Sequence, residues 1–251
     1  DAFVGIDCLV HIAGYAHDTK PNKDSDTKHK LINFKLTDDL LKLSDQNNLK
    51  KFIFISSVKA GGKQQIINGK IVEESEQNDN GSYARAKRAS ENSILNFLPK
   101  NQMDKIIIRP SLVYGKGMKG NLELMLRYMK KGIFPPLPHT KSRKALIHVD
   151  DLARAIFFLL EKENLNNEIF CVTDGCLYSP KDIYDSLSIA IGKPVKRWFL
   201  PLTIFKIIAL FPFVKGISKK LFSDEPFYSK KISSLGFKPL LKLRQINEEI
   251  F

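Results

Sequence analysis

Short, unbroken apolar runs limit what this chain can fold into. Asp7-Cys8-Leu9-Val10-His11-Ile12 is nearly continuous in apolar residues. Phe52-Ile53-Phe54-Ile55, Lys105-Ile106-Ile107-Ile108-Arg109 and Glu168-Ile169-Phe170-Cys171-Val172 repeat the pattern. A run without polar alternation is buried on both faces, as in a parallel strand covered by helices. Helical periodicity fills the intervals. Polar residues from Asp18 to His29 read as a loop, and a helix follows to about Asn47 with Leu31, Phe34, Leu40, Leu41 and Leu43 as its core-facing stripe. Asp150-Asp151 read as capping carboxylates of a helix that turns Leu152, Ala155, Ile156 and Leu159 inward. Ser179-Pro180 opens a further helix through Ile191. Strands alternating with helices in this way call for a doubly wound, Rossmann-like α/β fold whose ligands sit at the strand C-termini.

Those C-termini hold the chemistry. Ala13-Gly14 follow the first run, and so small a pair lets the backbone approach a ligand closely. Ser56-Ser57 end the second run. Gly81-Ser82-Tyr83-Ala84-Arg85-Ala86-Lys87 then opens a helix that carries Tyr83 and Lys87 on one face. A cation beside a phenol favours the phenolate, which would make Tyr83 usable as an acid or base near neutral pH. A hydroxyl at a strand end, facing such a helix, suits an alcohol or ketone whose oxygen gains or loses a proton. His11, inside a buried run, reads as packing. Residues 60–80 read as a loop long enough to cap a site, and Pro135-Pro136-Leu137-Pro138 as a rigid connector.

The formal charge of +13 raises the question of nucleic acid. The lysines are scattered, and no basic helix is interleaved with aromatics, so a solvated surface that attracts an anionic ligand is the better reading. Cys8, Cys171 and Cys176 have no metal-ligand spacing, and their odd number suits a reducing cytoplasm.

The ordered set His11-Ile12-Ala13-Gly14, Asn33, Ser56-Ser57-Val58-Lys59, Tyr83 with Lys87, Arg109 to Gly115 and Ile147-His148-Val149-Asp150-Asp151-Leu152 resembles the extended short-chain dehydrogenase/reductases. Within them it is similar to the NAD-dependent nucleotide-sugar 4-epimerase and 4-ketoreductase branch. The resemblance implies catalysis by Ser57, Tyr83 and Lys87, with Ser56 the rival for the hydroxyl role. It implies NAD, with NADP open, held by Ala13, Gly14, Asn33, Tyr83, Lys87 and Pro110. It also implies a UDP-sugar held by Ser57, Lys119, Asn121 and Arg143, the last in competition with Lys144 by a one-residue shift. The family's Gly-rich phosphate loop occurs nowhere in these residues, so the chain is expected to lack an N-terminal portion.

Residues 1–113 and 145–172 would form the dinucleotide domain, and 114–144 and 173–251 a mostly helical sugar-binding lobe. The lobe would include the apolar stretch Trp198 to Val214. That stretch is broken by Pro201, Lys206 and Pro212, falls short of the ~20 clean residues of a membrane span, and beside Lys215, Lys219 and Lys220 would suit contact with a membrane surface. A homodimer through the Leu31 and Tyr83 helices is also implied. The expected reaction is C4 epimerisation of a UDP-hexose for surface polysaccharide, with reduction of a UDP-4-keto-6-deoxy-hexosamine as the alternative. The 4,6-dehydratases carry an acid–base pair after the serine, and Val58-Lys59 supply none.

Overall fold

The structure, a computed structural model, describes residues 3–15, 27, 29–62, 64–67, 70–72, 81–138, 140–195, 201, 203–204, 207 and 222–246. Its strands are β1 Cys8–His11, β2 Lys51–Ile55, β3 Gln65–Ile67, β4 Lys70–Val72, β5 Asp104–Pro110, β6 Leu112–Tyr114, β7 Lys144–His148, β8 Glu168–Val172 and β9 Leu177–Tyr178. The helices are α1 Leu36–Gln46, α2 Val58–Gly61, α3 Ser82–Asn96, α4 Asn121–Lys130, α5 Val149–Leu160, α6 Pro180–Ala190 and α7 Lys230–Ser234. The chain divides into two compact units. One comprises Asp1–Ser111, Ala153–Val172 and Ser229–Phe237; the other comprises Leu112–Leu152, Thr173–Tyr228 and Lys238–Phe251.

In the first unit the apolar runs pair as their composition requires. A parallel sheet runs β1-β2-β5-β8, with Val10 beside Ile53 and Ile53 beside Ile106. Phe52, Phe54 and Ile107 of this sheet pack with Leu41, Leu49 and Ile94 in one cluster. Lys51 is buried at the start of β2 and donates through Nζ to the carbonyls of Leu159, Leu160 and Lys162. It thereby satisfies carbonyls that the end of α5 leaves without helical partners.

The second unit pairs β6 with β7 in parallel and β7 with β9 antiparallel. Its core includes Tyr114, Leu122, Met125, Leu146, Tyr178 and Leu187. The Asp151 carboxylate is fully buried and accepts the backbone N–H groups of Leu240 and Leu241 at 2.9 and 2.8 Å. Its role here is to fasten a chain segment. Ser179 and Asp182 close a capping box at the start of α6.

Two local readings change. Leu31 and Leu43 are 51% and 39% exposed, whereas Leu41 is fully buried. Leu43 lies two residues from Leu41 on α1 and so faces away from it; for Leu31 the cause is His29–Lys35, which winds as a π-helix before α1 begins. Its wider i→i+5 turn puts the upstream leucine out of phase with the α-helical stripe. Residues 60–80 are more than a loop, since α2 ends within them and β3 and β4 pair as an antiparallel hairpin. Most of the apolar stretch Trp198 to Val214 lies outside the described residues. Among those described, no helix is long and apolar enough to cross a membrane.

Ile107 is fully buried at the centre of the parallel sheet. Ile107→Ala is expected to lower the unfolding free energy by about 2–5 kcal/mol in denaturant titration, through lost burial and the cavity left behind.

Candidate active site

The C-terminal ends of β1, β2 and β5 lie side by side in the sheet and present Ala13-Gly14, Ser56-Ser57 and Pro110. Ser57 leaves β2 in extended conformation and caps α2, its Oγ accepting the Lys59 N–H at 3.3 Å. With a lone pair committed there, the Ser57 hydroxyl is free to donate its own proton, and it hydrogen-bonds the Tyr83 phenol. Ser56 is buried, and its hydroxyl has no partner among the described residues. The geometry therefore separates the two serines, and Ser57 is the one that meets the phenol. Tyr83 stands in the first turn of α3, which the chain enters through Gly81 at φ 85°, a conformation that favours glycine. Burial pushes the Tyr83 phenol above its ordinary range, and the Ser57 hydrogen bond opposes that shift.

Lys87 lies one turn further along α3 and points into the protein. It is 3% exposed, and its Nζ donates to the Ile55 carbonyl at 2.7 Å and stands 4.4 Å from the Phe54 ring centroid. Burial lowers its pKa to about 8, against an upward pull from Glu91. Burial is the largest influence on Tyr83, so its phenol sits above its ordinary value and not below it.

Gly14 closes the other side of the ammonium. A methyl group there would stand 3.1 Å from Oδ1 of Asn33 and 3.2 Å from Nζ of Lys87. Asn33 is fully buried in the π-helix and makes a reciprocal pair with Tyr15, accepting from its N–H at 2.6 Å and donating to its carbonyl at 2.8 Å. The site thus brings Gly14, Asn33, Ser57, Tyr83 and Lys87 into one neighbourhood, with Ala13 exposed next to Gly14 and Pro110 buried at the end of β5. His11 belongs to the packing beneath. Thr37 commits its proton to the Asn33 carbonyl, so the His11 ring donates through Nε2 to Thr37 Oγ1 at 2.9 Å.

A second buried network adjoins these groups, and sequence reading missed it. Arg109 forks onto Glu91, Nε to Oε1 at 2.8 Å and Nη2 to Oε2 at 2.7 Å, with both side chains buried. The signals were present but unremarkable. Glu91 repeats the four-residue spacing of Tyr83 and Lys87, and Arg109 is a charge ending an apolar run.

Of the expected sugar-binding residues, Ser57 lies in the first unit and Lys119, Asn121 and Arg143 lie in the second. Gly115, Gly117 and Gly120 have positive φ and lead into α4, whose first residue is Asn121, with Lys119 exposed just before it. Arg143 is exposed, and its guanidinium donates to the Thr140 and Ser142 carbonyls. Lys144 is buried, its Nζ 2.9 Å from Ser223 Oγ and 3.2 Å from Glu225. Among the described residues, no group of His, Cys, Asp and Glu is placed to hold a metal ion.

A Rossmann-type sheet with hydroxyls and a buried lysine at its strand ends defines a dinucleotide-dependent class of fold, and comparison with known proteins gives the family. The chain belongs to the NAD dependent epimerase/dehydratase family, whose model matches residues 1–172. It is 30% identical over 202 residues to a UDP-glucose 4-epimerase of Vibrio cholerae, a match covering 78% of this chain and 60% of that relative. An Escherichia coli O157:H7 protein, N-acetyl-alpha-D-glucosaminyl-diphospho-ditrans,octacis-undecaprenol 4-epimerase, is 22% identical over 252 residues, 94% of this chain and 74% of the other. The fold is shared with UDP-glucuronic acid 4-epimerase of Bacillus cereus, solved with UDP-glucuronic acid and NAD, at TM-score 0.72 and 19% identity over 95% of this chain and 72% of that one.

The buried ammonium has a measurable signature. In the unfolded chain Lys87 titrates near its ordinary 10.5 and in the folded chain at about 8. Between those values the folded state holds fewer protons, so stability contributed at this site rises with pH. The unfolding free energy of wild type relative to Lys87→Met is expected to grow by up to about 3 kcal/mol from pH 8 to 10.5, measured by denaturant titration across that window.

Proposed function

We propose that this chain carries the proton-transfer centre of an NAD-dependent 4-epimerase. It would act on a UDP-hexose, UDP-glucose or a UDP-N-acetylhexosamine, through a 4-keto sugar, and serve surface polysaccharide synthesis in the cytoplasm. The observation that carries this reading is the hydrogen bond between Ser57 and Tyr83 at the open ends of a parallel sheet, with the Lys87 ammonium buried behind it. Family membership and the similarity to the Vibrio cholerae UDP-glucose 4-epimerase support it.

The residues present suit the nicotinamide end of a dinucleotide. Gly14 leaves no side chain where Asn33 and Lys87 approach the backbone, and Ala13 and Pro110 flank the same strand ends. These residues and the Tyr83 hydroxyl would hold that end of the cofactor. When bound, NAD supplies hydride acceptance from C4 and hydride return.

The chain's own part is the proton. In its ionised form, Tyr83 Oη takes it from the sugar 4-hydroxyl and returns it to the 4-keto oxygen. The Ser57 hydroxyl, directed by Lys59 N–H, hydrogen-bonds that oxygen throughout. Lys87 places a positive charge one helical turn from the phenol and favours its ionised form as the proton moves. In the second unit, the backbone N–H groups at the start of α4, with Lys119, Asn121 and Arg143, would receive the diphosphate.

A second reading has its own observation. Burial keeps the Tyr83 phenol protonated at neutral pH, the form that donates to a keto oxygen. That is the whole task of a 4-ketoreductase using NADH or NADPH on a UDP-4-keto-6-deoxy-hexosamine. Leu31, Ile32, Leu36 and Leu43 are exposed on and before α1, which supports a homodimer through this region.

The test incubates the full-length protein with UDP-glucose, UDP-N-acetylglucosamine and the 4-keto-6-deoxy sugar, following products by NMR and NAD(P)H by absorbance. Isomerisation without net change in NADH identifies the epimerase. Stoichiometric NADH or NADPH consumption identifies the reductase. Tyr83→Phe is expected to lower kcat by about 10²–10⁴ while NAD binding persists, and near-wild-type turnover by this variant would defeat both readings.

A further inference from the structure

Ser57 and Tyr83 sit on different segments, and something must hold those segments at hydrogen-bonding distance. The structure contains a continuous link between them. Ser57 caps α2, and the last residue of α2, Gly61, lies against the guanidinium of Arg109. A methyl group on Gly61 would stand 2.7 Å from Cζ of Arg109 and closer still to Nη1. Arg109, at zero exposure in β5, forks onto Glu91 of α3. Glu91 is one helical turn beyond Lys87 and two beyond Tyr83. The path therefore runs from Ser57 through α2 and Gly61 to Arg109, on to Glu91 and back along α3, and the hydroxyl pair closes it.

We infer that Gly61, Arg109 and Glu91 form a positioning clamp that sets the separation of Ser57 and Tyr83 and keeps a carboxylate beside Lys87, an inference that rests on the proton transfer proposed above. A buried ion pair contributes little net stability compared with well-packed apolar residues of the same volume. A bidentate Arg–carboxylate pair does fix geometry in two directions at once. Glu91 also takes a contact from Arg88 Nη1 at 3.4 Å. Among the described residues, the charged and titratable groups around Lys87 are Tyr83 and Glu91 on its own helix, His11 from β1, and Arg109 from β5 acting through Glu91. Of these, His11 is held neutral by burial and by Lys87, its pKa lowered to about 4. Glu91 is the carboxylate that favours the ammonium.

Gly61 lies in a helical conformation open to alanine, so Gly61→Ala acts through steric displacement of Arg109. In the full-length protein it is expected to lower kcat roughly 10–100-fold with KM within about twofold, since a misplacement near 1 Å has that cost, while thermal melting stays cooperative. Glu91→Gln keeps the side chain's shape and removes its charge. It is expected to move the alkaline limb of the kcat/KM profile about one pH unit lower, a change a purely structural role would not produce. Wild-type kcat in Gly61→Ala overturns the clamp, and so does an unmoved profile in Glu91→Gln, which decides the matter alone if Gly61→Ala does not fold. Tyr83→Phe, measured beside them, separates the two ideas. Lost turnover in Tyr83→Phe with normal Gly61→Ala sinks the clamp alone, whereas retained turnover in Tyr83→Phe sinks the reaction on which it rests.

Discussion

One buried ammonium organises the first unit. A charge taken out of water must be hydrogen-bonded and paired, or it is lost. Lys87 meets that demand with the Ile55 carbonyl, the face of Phe54 and the nearby Glu91. Each partner fixes a neighbour in turn. The Ile55 bond ties α3 to the end of β2, where the serine stands. The space the ammonium occupies leaves little room for a side chain at position 14. Ser90, a turn below Lys87, donates to the Asn33 carbonyl and ties α3 to the π-helix. The strand ends, the π-helix and α3 are thus held by contacts of Lys87 and of Ser90, its neighbour on the same helix.

The same burial displaces two titratable groups in opposite directions. It raises the Tyr83 phenol and lowers the Lys87 ammonium, so each moves toward its neutral form. Groups pushed apart from their ordinary values in this way mark sites that trade protons. The phenol keeps its proton and Lys87 keeps its charge up to about pH 8. A partner oxygen arriving between Ser57 and Tyr83 would therefore meet two O–H groups, with a positive charge one turn behind.

Much of the fold was legible because the parallel strands declare themselves by unbroken apolarity. Phe52 to Ile55 and Ile106 to Ile108 have no other place to go. The helix after His29 was harder. Its pattern is read against an α-helical repeat, and the π-helical turn breaks that repeat, so Leu31 was assigned to a core it does not reach. At the site, residue type and order set Tyr83 against a strand-end hydroxyl, and only the family resemblance preferred Ser57 to Ser56. The direction of Lys87 did not follow from residue type or order, because a lysine's reach allows it to rise toward a phenol or sink toward a carbonyl, and only the three-dimensional position of Ile55 decides between them. Glu91 and Arg109 stayed hidden for a related reason. Two opposite charges eighteen residues apart leave no mark in a sequence until the helix and the strand are laid together.

The reciprocal pair between Asn33 and the Tyr15 backbone has a wider consequence. The amide offers one donor and one acceptor to a single residue, as a neighbouring strand would. Aspartate has two acceptors and no donor, leucine has neither, and glutamine carries the pattern one bond too far. Position 33 thus behaves like a key with one working cut. Ageing chemistry that converts this amide to a carboxylate would turn an attraction into a repulsion and unfasten the segment after β1 without altering Ser57, Tyr83 or Lys87 themselves.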